Sequence, residues 1–286
     1  MNKPAFDSPS EPGDLRSDEA LSRMQARCRY YFNLSEFAQL TGREQRGAAA
    51  YLAVNRLSKR GRVVSATRRP AGYLIVPPEH QSFGAPPVTW WIDDCLRPIE
   101  PHYYVALLSA AKHWGSSHYA RQDVQVMLSR PHPPLSPGLL KVTFTAKKNI
   151  EVTPTTVVKS GVAPWQVSSR AATLLDLIRH QSDVGGIEAI ARVTKDFSRD
   201  LTREDLFASL DALNQVPAAQ RLGYIFDQLK MTACARHVAA WLNARHDFKG
   251  PQPLELGTTL SQSMETDSRW KIRFDPNRLS ILEEIK

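Results

Sequence analysis

The sequence predicts an α+β fold in two parts. The first is a short segment of helices closed by a β-hairpin, and the second is a larger mixed α/β domain in which strands come first and helices follow. Three observations lead there. Basic residues are concentrated in one N-terminal stretch; the apolar spacing changes from strand-like alternation to a helical period in the second half; and proline-rich runs at residues 77–87 and 130–138 punctuate the chain. At 286 residues the chain has room for two domains of ~100–200 residues. A composition of 42% hydrophobic and 23% charged residues is that of an ordinary globular protein, which excludes wholesale disorder.

The first elements lie in the basic stretch. Residues 1–16 are polar and rich in Pro, Ser and acids, with little to pack, and are expected as a disordered tail. Leu34, Phe37 and Leu40 fall at i, i+3 and i+6 behind a capping Asn33 or Ser35, and Gly42 ends the run, which predicts a first helix and a tight turn. A second helix is expected from near Arg46 to Gly61, with Ala50, Ala53, Val54 and Leu57 at i, i+3, i+4 and i+7 as its core stripe. At about 100° per residue, the opposite side presents Gln45, Ala48, Tyr51, Leu52, Asn55 and Lys59, with Arg56 on its flank. The β-prone runs Arg62–Thr67 and Tyr73–Val76 then form a hairpin around Arg68-Arg69-Pro70-Ala71-Gly72. Helix, turn, basic helix and hairpin in this order predict a winged helix-turn-helix over residues 17–78.

The charge says what such a module would hold. Between Leu21 and Gly72 stand eleven basic and two acidic residues, a net +9, so the chain's overall +8 leaves the remainder at −1. A basic module joined to a near-neutral one points to a polyanion as partner of the first alone. A basic helical face is ordinarily solvated, but Leu52 and Tyr51 beside Asn55, Gln45 and small Ala48 suit the major groove of double-stranded DNA. Asn or Gln can bond adenine bidentately, and Ala or Leu can touch a thymine methyl. Arg43 and Arg46 at the turn are expected on phosphate, and Arg68 and Arg69 at the hairpin tip on phosphate or in the minor groove. The expected DNA-binding residues are therefore Arg43, Gln45, Arg46, Ala48, Tyr51, Leu52, Asn55, Arg56, Lys59, Arg60, Arg68 and Arg69.

Residues 79–88, with paired prolines flanking a short polar run, are expected as a linker to a domain over 89–286. In that domain the pattern predicts a helix over Pro101–Trp114 and strands at Asp123–Leu128, Leu139–Thr145, Thr155–Lys159 and Ala163–Val167, with the proline-rich loop 130–138 inside it. Ser169 then caps a helix through His180, and further helices are expected at Ile187–Phe197, Arg203–Leu213, Pro217–Lys230 and Cys234–Ala244, before a last strand at Trp270–Phe274.

No catalytic residue, metal or cofactor is expected. His113 and His118 are five residues apart, ~500° along a helix, and lack a third ligand at metal-like spacing. Asp93 and Asp94 are adjacent, so their side chains diverge, and they suit a helix start. A metal-dependent nuclease could use Asp123 and Glu151 with Lys147 or Lys148, but that order reads as a turn between strands. No phosphate-binding Gly-Lys loop and no Gly-x-Ser-x-Gly elbow occurs. Trp165 and Trp241 are expected core aromatics. Cys28, Cys95 and Cys234 are odd in number and far apart, as in reduced thiols of a cytoplasmic protein. Lys3 is followed by no apolar leader run, and the longest apolar stretch, Tyr103–Ala111, is nine residues, short of the ~18–20 of a bilayer span.

Several stretches together resemble the AbiEi-type antitoxins of type IV toxin–antitoxin systems. They are the hairpin end Gly72-Tyr73-Leu74-Ile75-Val76-Pro77-Pro78-Glu79, then Trp90-Trp91-Ile92-Asp93-Asp94 leading to Tyr103–Ala111, and then Val167–Ile178 with Gly185-Gly186. Their order extends over about 200 residues. The resemblance implies a bacterial autorepressor that binds inverted repeats in its own promoter. It also implies an antitoxin that counters a nucleotidyltransferase-like toxin without a stable complex, through its C-terminal domain. It carries over no catalytic residue. A longer turn from Arg43 to Gly47 departs from the family pattern and sets the register of Gln45 and Arg46. A stand-alone winged-helix regulator and a metal-dependent DNA-processing enzyme are the alternative readings.

Overall fold

A computed structural model describes residues 15–44, 47–116, 123–159, 161–245, 250–257 and 264–276. They form an α+β fold that divides into two units, one of residues 1–101, 132–143 and 157–165, the other of residues 102–131, 144–156 and 166–286. The tail expected over residues 1–16 lies outside the described residues up to 14, while Leu15 is buried in the first unit's core.

The first unit opens with α1 (Ser17–Ala26), whose Ala20, Leu21 and Met24 are buried and whose Asp18 and Glu19 complement the positive end of the helix. The short strand β1 (Tyr31–Asn33) runs directly into α2 (Leu34–Leu40), where the Asn33 side chain accepts from the Glu36 amide at 2.8 Å. This is the N-cap that the sequence offered, a contact worth ~1 kcal/mol. After the turn comes α3 (Gly47–Lys59), then β2 (Val63–Arg68) and β3 (Ala71–Ile75). The sheet order is β1-β3-β2, all antiparallel, with Phe32 opposite Tyr73 and Ser65 opposite Tyr73. Phe32, Phe37, Val54, Leu57, Val63 and Ile75 share one core with α1.

The stretch expected as a linker is packed into this unit. Residues Pro78–His80 and Val88–Trp90 form single 3-10 turns, Ala85 and Val88 are buried, and the Trp91 indole donates to the Pro86 carbonyl at 3.2 Å before α4 (Ile92–Leu96). The proline-rich loop expected inside the second domain also belongs here. Gly138 approaches Gly84 so closely that a Cβ on it would lie 2.4 Å from the Phe83 carbonyl, and the Leu139 amide donates to that same oxygen at 2.8 Å. Prolines mark where the chain cannot continue a ladder, but not which side of a domain boundary a loop packs on.

The second unit contains β4 (Tyr104–Val105), α5 (Leu107–His113) and β5 (Asp123–Leu128); with β6 (Lys141–Ala146), β7 (Thr155–Lys159) and β8 (Pro164–Ser168), each of which has residues assigned to both units, the strand order of the five-stranded sheet is β6-β5-β4-β8-β7. The expected helix over Pro101–Trp114 is thus corrected. Tyr104 and Val105 pair with Met127 and Val126, and Val105 pairs in parallel with Val167, so only the part after Ala106 is helical. Tyr103–Ala111 is apolar nearly throughout, and such a run has no period to separate strand from helix.

Five helices follow: α6 (Arg170–Arg179), α7 (Gly186–Asp196), α8 (Arg203–Leu213), α9 (Val216–Gln228) and α10 (Thr232–Asn243). Ser169 caps α6, accepting from the Ala172 amide at 3.2 Å, and Thr202 caps α8, accepting from the Asp205 amide at 3.1 Å. Strands β9 (Gln252–Pro253), β10 (Glu265–Asp267) and β11 (Ile272–Phe274) form a small sheet in the order β10-β11-β9. Trp270 precedes β11 and lies across α9, where Gly223 has no side chain and the Gln220 amide donates to the Trp270 carbonyl at 3.0 Å. Trp241 is a core residue of this unit, and Trp165 is buried within the first.

Candidate nucleic-acid interface

Helix α3 sorts its residues as the 3.6-residue period requires. Ala50, Ala53, Val54 and Leu57 are at most 8% exposed, and Tyr51 and Leu52 are 54% and 51% exposed. Ala48, Asn55, Arg56 and Lys59 are exposed with them. The buried stripe holds α3 against α1 and α2, each Val or Leu contributing ~1.5–3 kcal/mol of transfer energy, so the outward face is held without its own residues taking part. Gln45 and Arg46 lie outside the described residues.

The basic residues around α3 differ in how free they are. Arg43 is half-buried and donates from Nη1 to the Ser17 hydroxyl at 3.3 Å. Arg60 and Arg62 both approach Asp18 on α1, at 3.9 and 3.7 Å. These are exposed ion pairs of small value, ~0–1 kcal/mol, which a polyanion could replace. Arg56 and Lys59 in the last turn of α3 have no ion-pair partner among the described residues.

At the hairpin, Arg68 and Arg69 are exposed at the tip. The register shifts between Ser65 and Thr67, and the Thr67 hydroxyl donates to the Pro70 carbonyl at 2.7 Å, which closes the tip on itself. Gly72 lies beneath the Tyr31 phenol, where a Cβ would come within 2.3 Å of the hydroxyl oxygen. The sequence offered that glycine as a turn residue; its tolerance of close approach by β1 is the part that spacing did not reveal.

Behind the hairpin a cleft contains Arg29, Tyr31, Glu36, Arg69, Asp94 and Cys95. Arg29 is bidentate on Glu36 and lies 3.9 Å from Asp94. Burial pushes the Asp94 carboxyl up, against the pull of Arg29. Burial pushes the Cys95 thiol up to about 12. Asp93 and Asp94 open α4, as expected of a helix start, and Asp93 is bidentate with Arg97 at 2.9 and 2.8 Å.

The other candidate chemistry of the sequence disperses. His118 lies outside the described residues, and burial together with Arg170 lowers the His113 pKa. No group of three His, Cys, Asp or Glu side chains that could hold a metal occurs among the described residues. Of the possible nuclease set, Glu151 and Lys148 are exposed, whereas Lys147 is in the core. There its ammonium donates to Asp176 at 2.7 Å and to the Tyr104 hydroxyl at 2.9 Å, and that hydroxyl donates to the other Asp176 oxygen at 2.7 Å. Burial pushes Lys147 down and Asp176 holds it up; burial and Asp176 together push the Tyr104 phenol well above its ordinary value. This closed triad was missed in the sequence. Its trace there is Asp176, a carboxylate within the apolar run Leu174–Ile178. No described helix is long and apolar enough to cross a membrane.

Comparison with known proteins finds one family and a similar fold. Residues 104–228 match the family described as AbiEi antitoxin C-terminal domain, a stretch that runs from β4 to the end of α9. Over that stretch the chain is similar to the AbiEi-type antitoxins. Its fold is similar to that of the RV2827C protein from Mycobacterium tuberculosis, with a TM-score of 0.65 over 96% of this chain and 97% of that one, at 14% identity. None of the curated proteins matches the chain.

Proposed function

We propose that the protein is a cytoplasmic, DNA-binding antitoxin. In this reading residues 17–78 are a winged helix-turn-helix that binds inverted repeats in the promoter of its own operon and represses it. The rest of the chain counters a nucleotidyltransferase-like toxin without forming a stable complex with it. The observation that carries the reading is the outward face of α3, where Tyr51 and Leu52 stand exposed beside Asn55 and Lys59 on a helix whose opposite stripe is buried. Large apolar side chains on a basic, solvent-facing helix have little reason to be there unless a partner covers them. The net +9 between Leu21 and Gly72 supports a polyanion as that partner.

The roles divide by position. Asn55, with Gln45, reads base edges, and Ala48 and Leu52 touch thymine methyl groups. Arg43, Arg46, Arg56, Lys59 and Arg60 hold phosphates, and the Arg68–Arg69 tip adds phosphate or minor-groove contacts. Two copies on one inverted repeat need no dimer in solution. The test is a gel shift on the DNA upstream of the gene against a scrambled duplex, beside repression of a reporter. A single retarded species on the upstream DNA only, lost with Asn55→Ala, is expected. Equal retardation of both duplexes by the parent protein would overturn the reading.

A further inference from the structure

The first turn of α9 borders a cleft whose charge is unbalanced. Helix α9 is 13 residues long, and the side chain of its N-cap residue, Gln215, makes no capping hydrogen bond. Pro217 has no amide hydrogen, and the amides of Val216 and Ala218 find no acceptor among the described residues. An uncapped helix start of this length has the partial positive charge of its dipole exposed there.

A helix start alone is no site, but two guanidiniums line the same cleft. Arg221, 5% exposed, donates from Nε to the Pro253 carbonyl at 2.8 Å and from Nη1 to the Pro217 carbonyl at 3.2 Å. Nothing among the described residues accepts from its Nη2, and no described carboxylate lies within ion-pairing distance. The two carbonyls explain Arg221 as a strut between α9 and β9, yet they leave its charge uncompensated. Burial alone pushes its pKa down to about 10, with no acid raising it. A guanidinium withdrawn from water is ordinarily paired, so one left without a counter-ion beside a cleft is placed for an anion. Arg179, at the end of α6, lines the cleft as well and has no described ion pair. The Gln215 amide oxygen is buried with no hydrogen-bond partner among the described residues.

We propose that this cleft binds a small phosphomonoester, with its phosphate held by Arg221, Arg179 and the first amides of α9. Two guanidiniums and a helix start exceed what one carboxylate can use, and they match the three acceptor oxygens of a phosphate. The Gln215 oxygen can accept from the one hydroxyl of a singly protonated phosphate, the form present below its second pKa of about 6. The cleft, about 510 Å³, is larger than the phosphate itself, and Ile178, Val216 and Leu256 give its remainder an apolar wall. The proposal rests on nothing in the DNA-binding reading.

Isothermal titration of the full-length protein at constant ionic strength tests it, with inorganic phosphate and phenyl phosphate as probes and acetate and duplex DNA as comparisons. Saturable binding of phosphate, tighter binding of phenyl phosphate and none of acetate are expected. Arg179→Gln, on an exposed side chain, should weaken both probes about 10-fold or more, and Arg221→Gln should abolish binding while circular dichroism reports whether it folds. Absence of saturable phosphate binding, equal binding of acetate, or an Arg179→Gln protein that binds as the parent does would overturn the site. Loss of duplex DNA affinity alone in Arg179→Gln would assign the cleft to nucleic-acid backbone and overturn it equally.

Discussion

Asn55 stands one turn beyond Tyr51 on α3, exposed, with its side-chain amide free to meet a base edge. Truncating either should cost ~1–3 kcal/mol of binding to the upstream DNA, with little change on unrelated duplex. Two other residues make predictions unrelated to DNA. A Cβ at Gly223 would lie 2.0 Å from the Trp270 ring, so Gly223→Ala should lower the denaturant midpoint by an amount worth ~1–3 kcal/mol. The Cys95 thiol, buried and held up to about 12, stays protonated at pH 8, whereas Cys28 is exposed. Iodoacetamide at that pH should therefore label Cys28 and spare Cys95 until the chain unfolds, as peptide mass mapping would record.

At the scale of elements, α3 was readable because a helix buried on one side must repeat its apolar residues every 3.6 positions, and Ala50, Ala53, Val54 and Leu57 do. The caps Asn33 and Ser169 were readable for an equally local reason: each needs only its own side chain and an amide three residues on. Strand β4 was not, because a two-residue strand inside an apolar run is made by its neighbours β5 and β8, which are distant in sequence. The triad of Tyr104, Lys147 and Asp176 was hidden for the same reason. Its members come from β4, the turn after β6 and α6, and no spacing connects them. Lys147→Met should cost ~3–5 kcal/mol by leaving Asp176 buried and unpaired, and adding Asp176→Leu should restore part of that loss. For the β2–β3 hairpin, Arg68→Ala and Arg69→Ala should weaken specific and unrelated DNA alike. Each should lower the slope of log affinity against log salt by about 1.

Across the whole chain, charge and family similarity divide between two stretches. The net +9 falls between Leu21 and Gly72, and the match to the AbiEi antitoxin C-terminal domain falls over residues 104–228. If DNA binding belongs to the first stretch and antitoxicity to the second, the two are separable in the intact protein. Full-length Asn55→Ala should then lose repression of the promoter proposed for it yet still rescue cells expressing the nucleotidyltransferase-like toxin proposed as its counterpart. The most direct test of the central claim is the affinity of that variant, measured by fluorescence anisotropy on the upstream inverted repeat and on a scrambled duplex. We expect Asn55→Ala to lose ~1–3 kcal/mol of affinity for the repeat and to keep the parent's affinity for scrambled DNA, so that the preference narrows. Retention of the parent's affinity and preference for the repeat would contradict the assignment of α3 as the reading helix.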